Sequence, residues 1–256
     1  LIVGDSVRGS LCDLTLDRLG DTDDALVSDR MFREEIADDP SFRASYTSVA
    51  PAILLTGSAR GGGGTTSDGR LASGVQIVGI DARFAAQYPS GDALAPVLVE
   101  ASAGAFPAAV INEALRLELQ VVIGDEVVLS FGQDGSVHPA SLFASREATD
   151  ARSRLRVVVA GVAPDAGPGR FALLPHQHAP KNAYVPLQAL QQVLGRPGEV
   201  NLLLATRADG TTAPADLLAA AAAAMTLDDL GLRISKHRLA LIVESDQLII
   251  GDGAAD

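Results

Sequence analysis

The chain has 256 residues, a formal net charge of −12, a pI near 4.7, and 47% apolar residues with only 4% aromatics and no Trp. That is enough apolar side chain for a sizeable core, in one large domain or two small ones, resting on Ala, Val, Leu and Ile. The acidic balance excludes a nucleic-acid partner held by a basic footprint. The single cysteine, Cys12, excludes an internal disulfide and a zinc site built on several cysteines.

The first stretch, Leu1-Ile2-Val3-Gly4, has no initiator Met, and Leu248-Ile249-Ile250 comes near the other end. Both ends read as cut, as in a piece excised between two membrane helices or in an ordinary trimmed domain. Within the chain there is no signal-peptide pattern and no apolar run long enough to span a bilayer. Residues 5–19 place Val7, Leu11, Leu14 and Leu19 on one side, with charged residues between, which predicts an amphipathic helix closed by Gly20. A short strand follows at Ala25 to Val27. Ser28 then suits the N-cap of a helix over about Asp29 to Ala37, ended before Pro40.

Ala52 to Thr56 and Val75 to Ile80 read as strands, separated by a polar, Gly-rich loop at 57–74. Ala82 to Ala86 predicts one helical turn, 89–96 a loop, and Val97 to Glu100 a strand. In Phe106 to Phe131, Pro107 suits a first helical position, and Val110, Ile111, Ala114 and Leu115 share a face. The expectation there is helix, a Gly124-Asp125 turn, and a strand over Glu126 to Phe131. Residues 132–154 read as a long loop, and Leu155 to Val162 as a buried strand. Phe171 to Leu174 and Asn182 to Val185 predict short strands, Pro186 starts a helix ended by Gly195, and Val200 to Thr206 is a strand. Pro214 to Met225 predicts an Ala-rich helix with Asp216 at its start, and Leu232 to Ser235 and Leu239 to Val243 predict strands.

Candidate chemistry is sparse. Ile2-Val3-Gly4-Asp5-Ser6 resembles the first block of GDSL-type hydrolases, in which Ser6 would be the nucleophile. The base of that chemistry sits in a late Asp-x-x-His, yet the residue three before His237 is Ile234. The Gly61 to Gly64 run lacks the Gly-Lys-Ser/Thr of a phosphate loop. His176 and His178, with Asp165, have two-ligand spacing but no evident third ligand. The Asp pairs 23–24, 38–39 and 228–229 lie near turns, where solvated charges belong. His138 and His237 have no partner in the sequence, and Leu217 and Leu218 read as the core face of their helix. No catalytic, cofactor-binding or metal-binding residue is assigned, and no cofactor is implied.

Several pieces, in order, resemble the MacB-like periplasmic core domain of FtsX-like ABC-transporter permeases. They are Val3 to Arg8, Val78-Gly79-Ile80-Asp81 with Phe84, and Ile111-Asn112-Glu113-Ala114-Leu115. They continue with Ile123 to Leu129, Val159-Ala160-Gly161-Val162, Asn182-Ala183-Tyr184-Val185-Pro186-Leu187, and Val200-Asn201. The resemblance implies an α+β fold in which a porter-like α/β subdomain, residues 1–104 and 207–256, is split by an inserted, mostly β subdomain, residues 105–206. It implies a non-catalytic periplasmic domain on the inner membrane, anchored by flanking transmembrane helices, that couples their motion to substrate or adaptor handling. The implied partners are a second permease copy, a cytoplasmic ATP-binding subunit reached through the membrane part, and a periplasmic adaptor or lipoprotein. The loops at 57–74 and 132–154 depart from the family's common form. The alternatives are a GDSL-type ester hydrolase using Ser6 and a ligand-binding sensor domain on the same scaffold.

Overall fold

One long strand, β2 (Tyr46–Gly62), sets the layout. The computed structural model describes residues 16–62, 69–99, 106–132, 152–174, 179–208, 216–227, 229, 232–237 and 240–245. The other strands are β1 (Asp24–Arg33), β3 (Leu71–Ile80), β4 (Ala108–Asn112), β5 (Glu126–Gly132), β6 (Arg152–Ala163), β7 (Lys181–Pro186), β8 (Glu199–Arg207), β9 (Leu232–His237) and β10 (Ala240–Ser245). The α-helices are α1 (Ala82–Ala85), α2 (Ala95–Leu98), α3 (Glu113–Leu119), α4 (Leu187–Leu194) and α5 (Leu217–Ala224), with residues 16–19 also helical. Short 3-10 turns cover Glu34–Asp38, Pro40–Phe42, Gly91–Leu94 and Gly167–Arg170. This is an α+β fold.

β2 changes neighbours along its length. Its first part pairs antiparallel with β8, which also pairs with β1. From Ile53 it pairs with β3, and from Gly57 also with β5 on its other edge. The strands β2-β3-β7-β4-β6-β5 then close back onto β2, so this part has no free edge. Among the described residues only β3–β7 and β4–β6 are parallel pairs. At Gly57, where β2 gains β5, an added Cβ would lie 2.3 Å from the Ser130 carbonyl oxygen, so the strands can meet this closely only with Gly. β9 and β10 form a separate antiparallel pair.

Period-two alternation divides the barrel strands between two cores. Ile77, Ala109, Ile111, Ala183 and Val185 join Leu129, Phe131 and Val157 in one buried cluster. Their sequence neighbours Val78, Val110 and Tyr184 belong to a second cluster with Phe84, Tyr88 and Phe171. A strand buried on both faces explains one misreading of period, and an irregular strand another. Val110 and Ile111 lie in β4 rather than in a helix, because their β-branched side chains fill both cores; the helix begins only at Glu113. Residues 29–33 belong to β1 and not to a helix. The Ser28 hydroxyl does accept a backbone N–H, that of Arg30 at 3.0 Å, but within the irregularity between Val27 and Phe32 rather than at a helix start.

Other expectations shift in the same way. Residues 57–62 and 71–74 of the Gly-rich stretch are strand, so the loop is shorter than predicted; 63–68 lie outside the described residues. Val97 and Leu98 are helical, and Phe171 to Leu174 form no strand. The strands predicted around 25–27, 52–56, 75–80, 126–131, 155–162, 182–185 and 200–206 are present, as are α1, α4 and α5. Strand pairing crosses the 104/105 junction, since β2 and β3 share the barrel with β4 to β7. The outer segments meet where Arg33 contacts Asp229 and the Ser41 hydroxyl donates to Ala220 O at 3.1 Å.

Candidate functional site

The densest polar arrangement is a buried node between β4, β7 and the segment 164–171. Asn112 ends β4 and caps α3: its side-chain oxygen accepts from Leu115 N at 3.1 Å and also from Asn182 N at 3.0 Å. Its amide donates to Gly169 O at 2.8 Å and Pro180 O at 2.6 Å. Asn182 donates to Phe171 O at 2.9 Å, and the Tyr184 hydroxyl donates to Pro168 O. Phe84 packs edge-on against Phe171, with centroids 5.3 Å apart, and beside Tyr184 at 5.9 Å. Burial pushes the Tyr184 phenol well above its ordinary range, so it stays a neutral donor. These groups fasten the three segments together, and of their side-chain atoms Asn182 Oδ1 is buried without a hydrogen-bond partner.

Several charged groups are likewise paired with each other. Arg33 grips Asp229 through Nε–Oδ1 at 2.9 Å and Nη2–Oδ2 at 2.8 Å, and Thr226 donates to Oδ2 through its N–H at 2.8 Å and its hydroxyl at 2.9 Å. Burial opposes ionisation of Asp229, but these donors overcome it and hold its pKa at about 2. A hydroxyl beside a carboxylate is the geometry of base-assisted nucleophiles, yet a carboxylate held that low is a poor base. Tyr46 donates to Asp24 at 3.1 Å, and its phenol is pushed up to about 12 by burial and by that carboxylate. Asp24 also pairs with Arg207 at 2.9 Å. These perturbations follow from structural pairing and move the groups away from neutral pH, opposite to the tuning of an acid–base site.

A shallow depression of about 230 Å³ lies between the 3-10 turns and β2, lined by Asp38, Phe42, Arg43, Tyr46, Thr47 and Arg83 among others. Arg83 is held by Asp81 at 2.7 Å and by Asp38 at 3.0 Å. Its charges compensate, so the depression carries no strong field for a charged ligand.

The sequence candidates are not brought together. Ser6, Cys12, His138, His176 and His178 lie outside the described residues, and of His237 only the backbone is described. Asp165, the suggested companion of His176 and His178, forms a paired contact with Arg170 at 2.9 and 2.8 Å. Gly61 and Gly62 are strand residues, not a phosphate loop. Asp39 caps the turn Pro40–Phe42, Asp23 accepts from Arg207 N, Asp24 pairs with Arg207, Asp38 with Arg83 and Asp229 with Arg33, so five acids expected as solvated have structural partners. Leu217 faces the core, whereas Leu218 is 65% exposed. Among the described residues no group of three or more His, Cys, Asp or Glu is placed to hold a metal ion, and no helix is long and apolar enough to cross a membrane.

Sequence reading named Asn112, Asn182 and Tyr184 only as parts of a resemblance; their meeting needs the parallel and antiparallel pairings of β4 and β7, which no local signal encodes.

Two solved structures are similar to this one. The extracellular domain of the noncanonic ABC-type transporter YknZ from Gram-positive bacteria aligns over 70% of this chain and 75% of its own, at 12% sequence identity and a TM-score of 0.40. The periplasmic region of MacB from Actinobacillus actinomycetemcomitans aligns over 75% of this chain and 71% of its own, also at 12% identity and a TM-score of 0.40. No protein-family model and no curated protein matches the sequence.

Proposed function

We propose that this chain is a non-catalytic extracytoplasmic domain of an ABC-transporter permease of the FtsX-like kind. The observation that carries the reading is where the resembling sequence pieces lie. Val3 to Arg8 lies outside the described residues; the other pieces run from Val78 to Asn201 and fall on strands of one sheet or the turns beside them. Asp81 caps α1 by accepting from Arg83 N at 2.9 Å and Phe84 N at 3.2 Å. Asn112 and Asn182 meet at the buried node. Gly124 N donates to Val159 O, and Val159 N to Asp125 O, joining the turn before β5 to β6. Asn201 on β8 both accepts from Leu54 N at 2.8 Å and donates to Leu54 O at 3.0 Å. These contacts support reading the described pieces as parts of one framework.

In this reading the domain is a rigid body moved by membrane helices in response to nucleotide turnover elsewhere in the assembly. Its partners are a second permease copy, a cytoplasmic ATP-binding subunit reached through the membrane part, and a substrate or adaptor outside the membrane. Among the described residues, the pairing of Asp229 with Arg33 and of Asp24 with Arg207 is in keeping with a mechanical role. The test is to purify the natural full-length protein from its own membranes in mild detergent and identify what accompanies it. The reading expects recovery in the membrane fraction with a nucleotide-hydrolysing subunit. Recovery as a soluble cytoplasmic protein without one would overturn it.

A further inference from the structure

The segment just before β1 is tied down unlike any ordinary loop. Gly167 N donates to the Asp17 carboxylate at 2.9 Å, and the Tyr88 hydroxyl donates to Arg18 O at 3.1 Å. Asp21 N donates to Gln87 O at 2.7 Å, and Asp23 N to Ala205 O at 2.9 Å. Gly20 turns against this seat with φ +60°, and a Cβ there would lie 2.2 Å from Gln87 O. The seat itself is firm: Gln87 and Tyr88 are buried, and Thr206 of β8 bonds to the Gln87 side chain. Among the described residues, three buried side-chain polar atoms have no hydrogen-bond partner: Asn182 Oδ1 lies in the node inside the barrel body, and the other two, Arg18 Nε and Thr22 Oγ1, sit together in this one segment. A buried polar atom without a partner loses its water and gains nothing in return.

We propose that residues 16–23 form a releasable strap, closed on the Gln87–Tyr88 turn and the Gly167 loop, and poised to open because Arg18 Nε and Thr22 Oγ1 regain hydrogen bonds to water when it lets go. The closed state is held by a few hydrogen bonds spread over three elements. Opening breaks them together and leaves the barrel pairing intact, which is local opening below the global stability. The strap stands on these contacts alone and does not depend on the permease reading. If that reading also holds, the strap sets whether the N-terminal segment moves with the barrel or independently of it.

Amide hydrogen exchange on the folded chain tests this. The Asp21 and Gly167 amides are expected to exchange together, at least about tenfold faster than hydrogen-bonded amides of β3 and β7. Thr22→Val removes the orphan hydroxyl at similar volume, and Arg18→Met removes Nε while keeping the apolar stem and the backbone acceptor. At least one of these should slow exchange at both positions several-fold. Asp17→Ala should speed it at least about tenfold while β3 and β7 are unchanged. Exchange of Asp21 and Gly167 at the β3 and β7 rate in the unaltered chain, or no slowing in either variant, would overturn the proposal. Circular dichroism identifies a variant that fails to fold, and the other then decides.

Discussion

Asp229 is one residue to which two separate parts of the chain attach: Arg33 at the end of β1 and Thr226 beyond α5 both donate to its carboxylate. Its folded pKa of about 2 lies below the ordinary aspartate value, so the contribution is fully present above about pH 4 and fades as pH falls toward about 2. Half-exposure of Arg33 weakens the pair, leaving about 1–2 kcal/mol at neutral pH. Asp229→Asn should therefore lose about that much in urea unfolding at pH 6, and the gap to the unaltered chain should narrow at pH 3. An equal gap at both pH values would show that the charge is not what matters. At the buried node, Asn112→Ala removes a helix cap and strips partners from Gly169 O, Pro180 O and Asn182 N, for an expected loss of about 3 kcal/mol or more. Asn112→Asp keeps the acceptor but not the donors, so it should rescue only part of that loss in the same unfolding measurement. Gly20→Ala should cost about 2 kcal/mol or more, because it adds both a strained φ and a contact with Gln87 O.

α5 separates burial from composition at the level of the element. Its eight residues are Leu and Ala throughout, so no polar face marks its orientation in the sequence. Structure supplies the asymmetry: Leu217 and Ala221 are buried and Leu218 is exposed. Leu217→Ala should cost about 2–3 kcal/mol in urea unfolding, and Leu218→Ala within about 0.5 kcal/mol of nothing. Equal costs would place the helix differently. The same contrast explains what was legible elsewhere. β5 and α4 read correctly because one signal dominates each, alternation in Val127, Leu129 and Phe131 for the first and the Pro186 and Gly195 boundaries for the second. β4 was misread because a strand buried on both faces has lost its alternation, and β1 because the Ser28 hydrogen bond serves a bulge as readily as a cap. The polar node was legible only as isolated Asn and Tyr residues, since its partners lie 57 and 70 positions away from Asn112.

Over the whole molecule, closure of β5 onto β2 removes the free edges of the barrel and leaves its interior filled by side chains from all six strands. The central claim concerns where that body resides. Val122 offers a direct reporter. It is 61% exposed, on a turn fixed by Gly124 N–Val159 O and by Asp125, whose carboxylate accepts from Val122 N at 2.8 Å. The measurement is labelling of Val122→Cys, with Cys12→Ser, in the full-length protein in intact spheroplasts by a membrane-impermeant maleimide. An extracytoplasmic domain predicts labelling before lysis as complete as after it; labelling that appears only once the membrane is broken would contradict the account.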